Sequence, residues 1–194
     1  MIICEDMKIV IEGAGEVGSH LAKMLRSEGN EITIIDDNPQ RLAAMSAYAD
    51  VETILGNPSS IKVLREAGVA EADLYIAVYP FAPQEVNIVG ALLAKRLGAA
   101  KVIARISDEE FLSAENKLLF KEMGIEMMFY PERIAADEII DFLNHNSTAE
   151  TMEFARGKLQ IAVFKLNEES PLLDLKLSEF ISTITPEDLK QFRV

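Results

Sequence analysis

Three glycines and one acid are the residues of this chain whose types and spacing are best suited to chemistry. Gly13, Gly15 and Gly18 follow the apolar run Lys8-Ile9-Val10-Ile11 and Glu12, in the stretch Gly13-Ala14-Gly15-Glu16-Val17-Gly18. An amphipathic segment begins at once. Strand, tight turn and helix N-terminus in that order form the place where α/β folds hold a dinucleotide's pyrophosphate. Gly13 permits the sharp turn, Gly15 lets phosphates approach the backbone, and Gly18 lets helix and strand pack closely. The free amides and the positive end of the helix dipole favour an anion.

Asp36 closes a second apolar run, Ile32-Thr33-Ile34-Ile35, and lies 21 residues after Gly15. An acid at about that distance accepts the hydroxyls of an adenosine ribose. A helix-capping role suits the neighbouring Asp37 or Asn38 better. The pair Asp36-Asp37 opposes a 2′-phosphate and so disfavours NADP. Glu16, inside the turn, opposes additional negative charge and tilts the ligand from ATP toward a dinucleotide. Arg105 ends a fifth apolar run on the same edge, where it either neutralises a phosphate or pairs with Asp108.

Catalytic groups are scarce. His20 and His145 are the only side chains with an ordinary pKa near neutrality. Neither stands beside a nucleophile, and no serine sits in a nucleophile elbow. Cys4 reads as an ordinary thiol near the N-terminus. No His, Cys or carboxylate cluster has metal-ligand spacing.

These residues need a scaffold, and the hydrophobic pattern supplies one. Strands are expected over 8–11, 32–35, 51–55, 73–79, 101–106 and 125–129. Helices are expected after the glycine turn, from Pro39, from Ser59-Ser60, over 83–97, over 108–123 and over 131–144. Strands alternating with helices through short connections call for a parallel, doubly wound sheet. Right-handed crossovers give the strand order 3-2-1-4-5-6. This dinucleotide-binding domain is expected to span 1–147.

Helix 131–144 carries Ile134, Ile139, Ile140, Phe142 and Leu143, an apolar stripe wider than one packing face needs. It either buries against its own sheet or meets another subunit. Residues 148–194 read as the beginning of a smaller α+β domain, with a half-buried strand over 159–166, a turn and short helix over 171–180, and a strand starting at 191. So small a domain has a poor core, which suggests a piece of a longer protein.

Composition narrows the partners. The 194 residues carry a formal net charge of −13, with 49% apolar and 26% charged residues. Scattered Lys and Arg at that balance argue against nucleic acid, whose affinity rests on clustered cations, and against anionic lipid. No apolar run is long enough for a membrane-spanning helix. A single cysteine agrees with a reducing compartment.

The chain resembles the cytosolic potassium-conductance regulator (RCK, or KTN) domains, in particular the regulatory subunits of Trk-type potassium uptake. The resemblance rests on Lys8 to Gly18, on Ile32 to Asp36 followed by Asn38-Pro39-Gln40-Arg41-Leu42, and on Val63-Leu64-Arg65-Glu66-Ala67-Gly68. It continues through Ala72-Asp73 to Val78, Glu85-Val86-Asn87, Ala104-Arg105, Pro131-Glu132-Arg133-Ile134 and Asn144. Phe154 to Lys158 then resembles the start of the family's C-terminal ligand domain. In order and spacing these cover about 180 residues.

The resemblance implies a non-enzymatic, cytoplasmic subunit that binds NAD or NADH, docks on a membrane potassium channel or transporter of Trk type, and works as a homodimer or tetramer. It implies nucleotide contacts from Gly13, Ala14, Gly15, Glu16, Val17, Gly18, Asp36, Tyr79, Pro80 and Arg105. ATP and ADP are the alternative ligands in this family. The chain departs from the family where Tyr79-Pro80-Phe81 replaces small polar residues and where Glu12 precedes the first glycine; both affect the expected adenine or nicotinamide contacts. Two other classes make different demands. A dehydrogenase fragment requires a catalytic Lys, His or Tyr, and a redox-sensing transcription regulator requires a basic helix-turn-helix.

Overall fold

A computed structural model describes residues 6–48, 50–80, 83–144, 148–154, 159–164 and 176. Six strands, β1 (Lys8–Glu12), β2 (Glu31–Asp36), β3 (Glu52–Leu55), β4 (Leu74–Ala77), β5 (Lys101–Arg105) and β6 (Met127–Phe129), form one sheet. Every pairing is parallel and the order is β3-β2-β1-β4-β5-β6. Between them run α1 (Glu16–Ser27), α2 (Pro39–Tyr48), α3 (Ile61–Glu66), α4 (Gln84–Leu97) and α5 (Ala114–Glu122), and α6 (Pro131–Asn144) follows β6. The doubly wound fold and its strand order are those expected from the pattern.

Alternation along the strands fills two apolar layers. Ile9 and Ile11 of β1 join Ile32 and Ile34 of β2 against Ala22 of α1 and Leu42 and Met45 of α2. Val10 and Tyr75 face the other way, packing with Leu64 of α3 and Ala91 and Ala94 of α4. Parallel strands covered on both faces need apolar residues in both registers, which is why these strands are continuous Ile/Val runs. All crevice residues therefore emerge at one edge, where the strands end.

Two elements differ from expectation. The helix expected over 108–123 is broken into a short 3-10 helix, Glu109–Leu112, and α5, with Ser113 extended between them. The Asp108 side chain accepts the Glu110 N–H and the Ser113 hydroxyl accepts the Asn116 N–H. Two helix starts so close together interrupt one continuous helix. The fourth strand, expected over 73–79, ends at Ala77. Val78 N–H still donates to the Glu12 carbonyl at 2.8 Å, but β1 turns away at Gly13.

The chain divides into two compact units, Met1–Ala136 and Asp137–Val194. In the second, β7 (Thr148–Phe154) and β8 (Leu159–Phe164) form an antiparallel hairpin. The strand expected over 159–166 is β8. β7 escaped the pattern because Thr-Ala-Glu-Thr-Met-Glu-Phe has no clean polar/apolar alternation. Apart from Lys176, the elements expected over 171–180 and from 191 lie outside the described residues, as do Cys4 and His145. Among the described residues, no helix is long and apolar enough to cross a membrane.

Candidate functional site

The glycine turn takes the form its spacing demands. Gly13 has φ +104°, a backbone region that side chains disfavour. A Cβ there would stand 2.6 Å from the Tyr79 Cα, because the end of β4 crosses the turn closely. A Cβ on Gly18 would collide with the Gly13 carbonyl, so helix α1 can approach the turn only with glycine at 18. Gly15 is the N-cap of α1 and lacks a capping side chain, and Glu16 and Val17 begin the helix. Glu16 is exposed, as is His20 on the following turn.

Asp36 is fully buried at the end of β2 and is bound into the turn. Its Oδ2 accepts the Ala14 N–H at 2.7 Å and its Oδ1 accepts the Asn38 N–H at 2.8 Å. Arg41, from the first turns of α2, places Nη1 3.4 Å from both oxygens. The carboxylate thus links the phosphate turn, the β2–α2 connection and α2. Each oxygen retains acceptor capacity beyond its one amide. Asp36 therefore has a structural role in shaping the turn, beside the ribose contact expected of it from the sequence.

Tyr79 and Pro80, the residues after β4, reach the same place. Asn87, buried on the inner face of α4, holds this connection from below: its Oδ1 accepts the Tyr79 N–H at 2.7 Å and its Nδ2 donates to the Tyr79 carbonyl at 3.3 Å. The Tyr79 hydroxyl donates to Asp37 Oδ1 at 2.6 Å, spanning from the end of β4 to the end of β2. Desolvation first, and then this carboxylate, push the hydroxyl up to about 12. Pro80 lies over Gly15, where a Cβ would stand 2.5 Å from the proline Cγ.

Arg105 ends β5, two strands from β1, and its guanidinium pairs with Glu132 at the start of α6 rather than with Asp108. The structure thus gathers Gly13 to Gly18, Asp36, Tyr79 and Pro80 at one crevice. Arg105 lies along the same sheet edge, engaged with a carboxylate.

Sequence reasoning missed the roles of Asn87, Arg41 and Tyr75. Asn87 had a legible signal, a lone amide on the Ala/Ile/Leu face of α4. Glu12 also lies elsewhere than expected. Its side chain is buried on the α4 side of the sheet, where a Cβ on Gly90 would collide with Oε2. Tyr75 donates its hydroxyl to Glu12 Oε2 at 2.7 Å, and Oε1 has no hydrogen-bond partner among the described residues. Burial, only partly offset by that bond, raises the Glu12 carboxyl to about 8.

The TrkA-N domain family model matches residues 9–131, a stretch that contains the parallel sheet apart from Lys8 and all of the glycine turn. The Trk system potassium uptake protein TrkA of Haemophilus influenzae is 37% identical over 176 residues, covering 90% of this chain and 38% of its own length. The TrkA homolog of Archaeoglobus fulgidus is 35% identical over 166 residues, covering 84% of this chain and 36% of that protein. The chain therefore spans under two fifths of the length of these two relatives. Among solved structures, the TrkA-N domain of the inner membrane protein ybaL from Escherichia coli superposes with TM-score 0.60 at 18% identity, covering 73% of this chain and 99% of that one. The GsuK channel bound to NAD gives TM-score 0.58 at 20% identity, covering 84% of this chain and 28% of that one. At such identities the solved structures establish a shared fold. With the family model spanning β1 through β6, the chain belongs to the TrkA-N domain family.

Proposed function

We propose that this chain is the nucleotide-sensing part of a cytoplasmic regulatory subunit for potassium uptake, and that its ligand is NAD or NADH. The observation that carries the reading is Asp36, buried at the end of β2 with Oδ2 on the Ala14 amide inside the glycine turn. One carboxylate thereby joins the ribose-type position to the phosphate-type position. The adenosine ribose would be held by Asp36, and the pyrophosphate by the turn from Gly13 to Gly18 at the start of α1. Arg105 would meet a phosphate on exchanging its Glu132 partner. The crevice groups named are binding groups, amides and carboxylates, and the reading is ligand binding without turnover.

Regulation requires that the ligand prefer one of two arrangements of the subunit. The size of the effect is limited by that preference, typically about 1–3 kcal/mol. Ile134, Ile139 and Ile140 of α6 are exposed, and in this reading they pair two copies of the subunit. Sedimentation of the chain as a dimer or tetramer above micromolar concentration is expected, and a strict monomer would remove α6 as the pairing surface. A membrane potassium transporter is the partner in this reading, which the relatives named for Trk potassium uptake support.

The deciding experiment is calorimetric titration with NADH, NAD, ADP and ATP, repeated on Asp36→Ala. The dinucleotides are expected to bind, and the substitution to weaken them roughly 10- to 100-fold, the worth of hydrogen bonds to a charged group. Unchanged affinity in Asp36→Ala would mean that the ribose position is misassigned. A preference for ADP over both dinucleotides would replace NAD as the ligand.

A further inference from the structure

We propose that Tyr79 and Pro80, positioned by Asn87, form a strap drawn across the glycine turn, which a nucleotide must displace and which thereby sets the affinity of the crevice. The inference rests on the nucleotide reading above and concerns residues that this reading leaves without a defined task.

Three observations converge on the strap. The first is what occupies the space beside Gly15. In a dinucleotide turn the second glycine is bare so that a pyrophosphate can approach the backbone. Here the Pro80 ring takes that space, with Cγ 2.5 Å from where a Cβ would be. Phosphate oxygens and the proline ring cannot both stand there.

The second is the tether at the far end. The Tyr79 hydroxyl crosses to Asp37 and donates to Oδ1 at 2.6 Å. Asp37 directly follows the ribose-type acid, so the bond spans the mouth of the crevice between the ends of β4 and β2. The bond is partly open to solvent and can be exchanged for water.

The third is the anchor. Asn87 is 2% exposed and holds both backbone polar groups of Tyr79, accepting its N–H at 2.7 Å and donating to its carbonyl at 3.3 Å. The Tyr79 backbone is therefore tied to α4 by one short and one long hydrogen bond, and the Pro80 ring, which shares the planar Tyr79–Pro80 peptide unit, leaves Gly15 only when the longer, 3.3 Å bond to the Tyr79 carbonyl yields. The hydroxyl bond to Asp37 is the outer restraint on that movement. Asn87 is a positioning residue, since it acts through the Tyr79 backbone.

A strap of this kind lowers affinity by the fraction of molecules in which it stands open. Loosening it strengthens binding even though no ligand contact is added. That sign separates it from a direct contact, because a residue that touched the nucleotide would weaken binding when truncated.

The test is calorimetric titration of the 194-residue chain with NADH, comparing wild type with Tyr79→Phe, which keeps the ring and deletes the hydroxyl. The expected result is a dissociation constant lowered roughly three- to tenfold, the worth of one ordinary hydrogen bond. Thermal unfolding of the unliganded variant serves as the check that it is folded. If Tyr79→Phe does not fold, Pro80→Ala takes its place under the same criterion, since it removes the ring over Gly15 and leaves the hydroxyl bond. An unchanged or raised dissociation constant overturns the strap while leaving the nucleotide reading intact. Failure of every form, wild type included, to bind NADH overturns the nucleotide reading and the strap with it.

Discussion

Two fully buried carboxylates, Asp36 and Glu12, stand at the ends of adjacent strands and meet opposite treatment. Asp36 receives two backbone amides and lies within reach of Arg41. Glu12 receives one tyrosine hydroxyl, leaves Oε1 without a partner among the described residues and is covered by Gly90 of α4. The first is integrated into the crevice as an acceptor. The second is burdened by burial that its single hydrogen bond does not offset. Burial alone therefore says little about a carboxylate; the donors around it decide whether it can serve a ligand.

The largest expected effect breaks the comparison at Glu12. Its folded-state carboxyl titrates near 8 against an ordinary value of 4.5. Below 4.5 both folded and unfolded chains hold the proton, and the group adds no pH dependence to stability. Between 4.5 and 8 the folded chain retains a proton that the unfolded chain has released. Stability thus falls as the pH rises through that window, by on the order of several kcal/mol in all at pH 8. Glu12→Gln cannot ionise and should lack this contribution. Urea unfolding of both forms at pH 5, 6.5 and 8 measures the difference in slope, and parallel curves would show that Glu12 does not carry the proton.

The next effect tests the well-satisfied partner. Asp36→Ala leaves the Ala14 and Asn38 amides without their acceptor, a loss of about 2–3 kcal/mol in unfolding free energy for buried groups. Denaturant midpoints at pH 7 check it. A cost below about 0.5 kcal/mol would mean that water replaces the carboxylate freely and that Asp36 is less integrated than its contacts indicate.

The smallest effect sharpens the geometry of the contrast. Gly90→Ala forces a methyl group against Glu12 Oε2 and should cost about 1–2 kcal/mol. In a Glu12→Ala background the collision disappears, so the same change should be nearly neutral or favourable. A double-mutant cycle reads the coupling directly. Equal costs in both backgrounds would show that the helix moves away from the sheet without reference to Glu12.

Much of the crevice was legible in the sequence. The glycine spacing and the acid at 36 announced themselves because close backbone approach, and the hydrogen bond of a strand-end acid to the turn, each constrain one residue type at one place. Helix and strand order was legible for a similar reason, since a sheet covered on both faces imposes continuous apolar runs. Local side-chain competition was harder to see. Asp108 and Ser113 each start a helix, and only their hydrogen bonds reveal that the expected single helix becomes two. The partners of Arg105 were also undetermined, because Asp108 is near in sequence whereas Glu132 is near only after β5 and β6 pair.

The sequence by itself determined the parallel sheet, its order and the phosphate-type turn. Each follows from short-range rules, hydrophobic period, glycine placement and crossover handedness, that act over a few neighbouring residues or one connection. Tertiary structure alone decided what the turn's neighbours do. It laid Pro80 on Gly15, tied Tyr79 to Asp37, set Asn87 beneath them and buried Glu12 under Gly90. These contacts join residues from different strands and helices, and only the closed packing of strand ends against α4 and the glycine turn brings them within bonding distance.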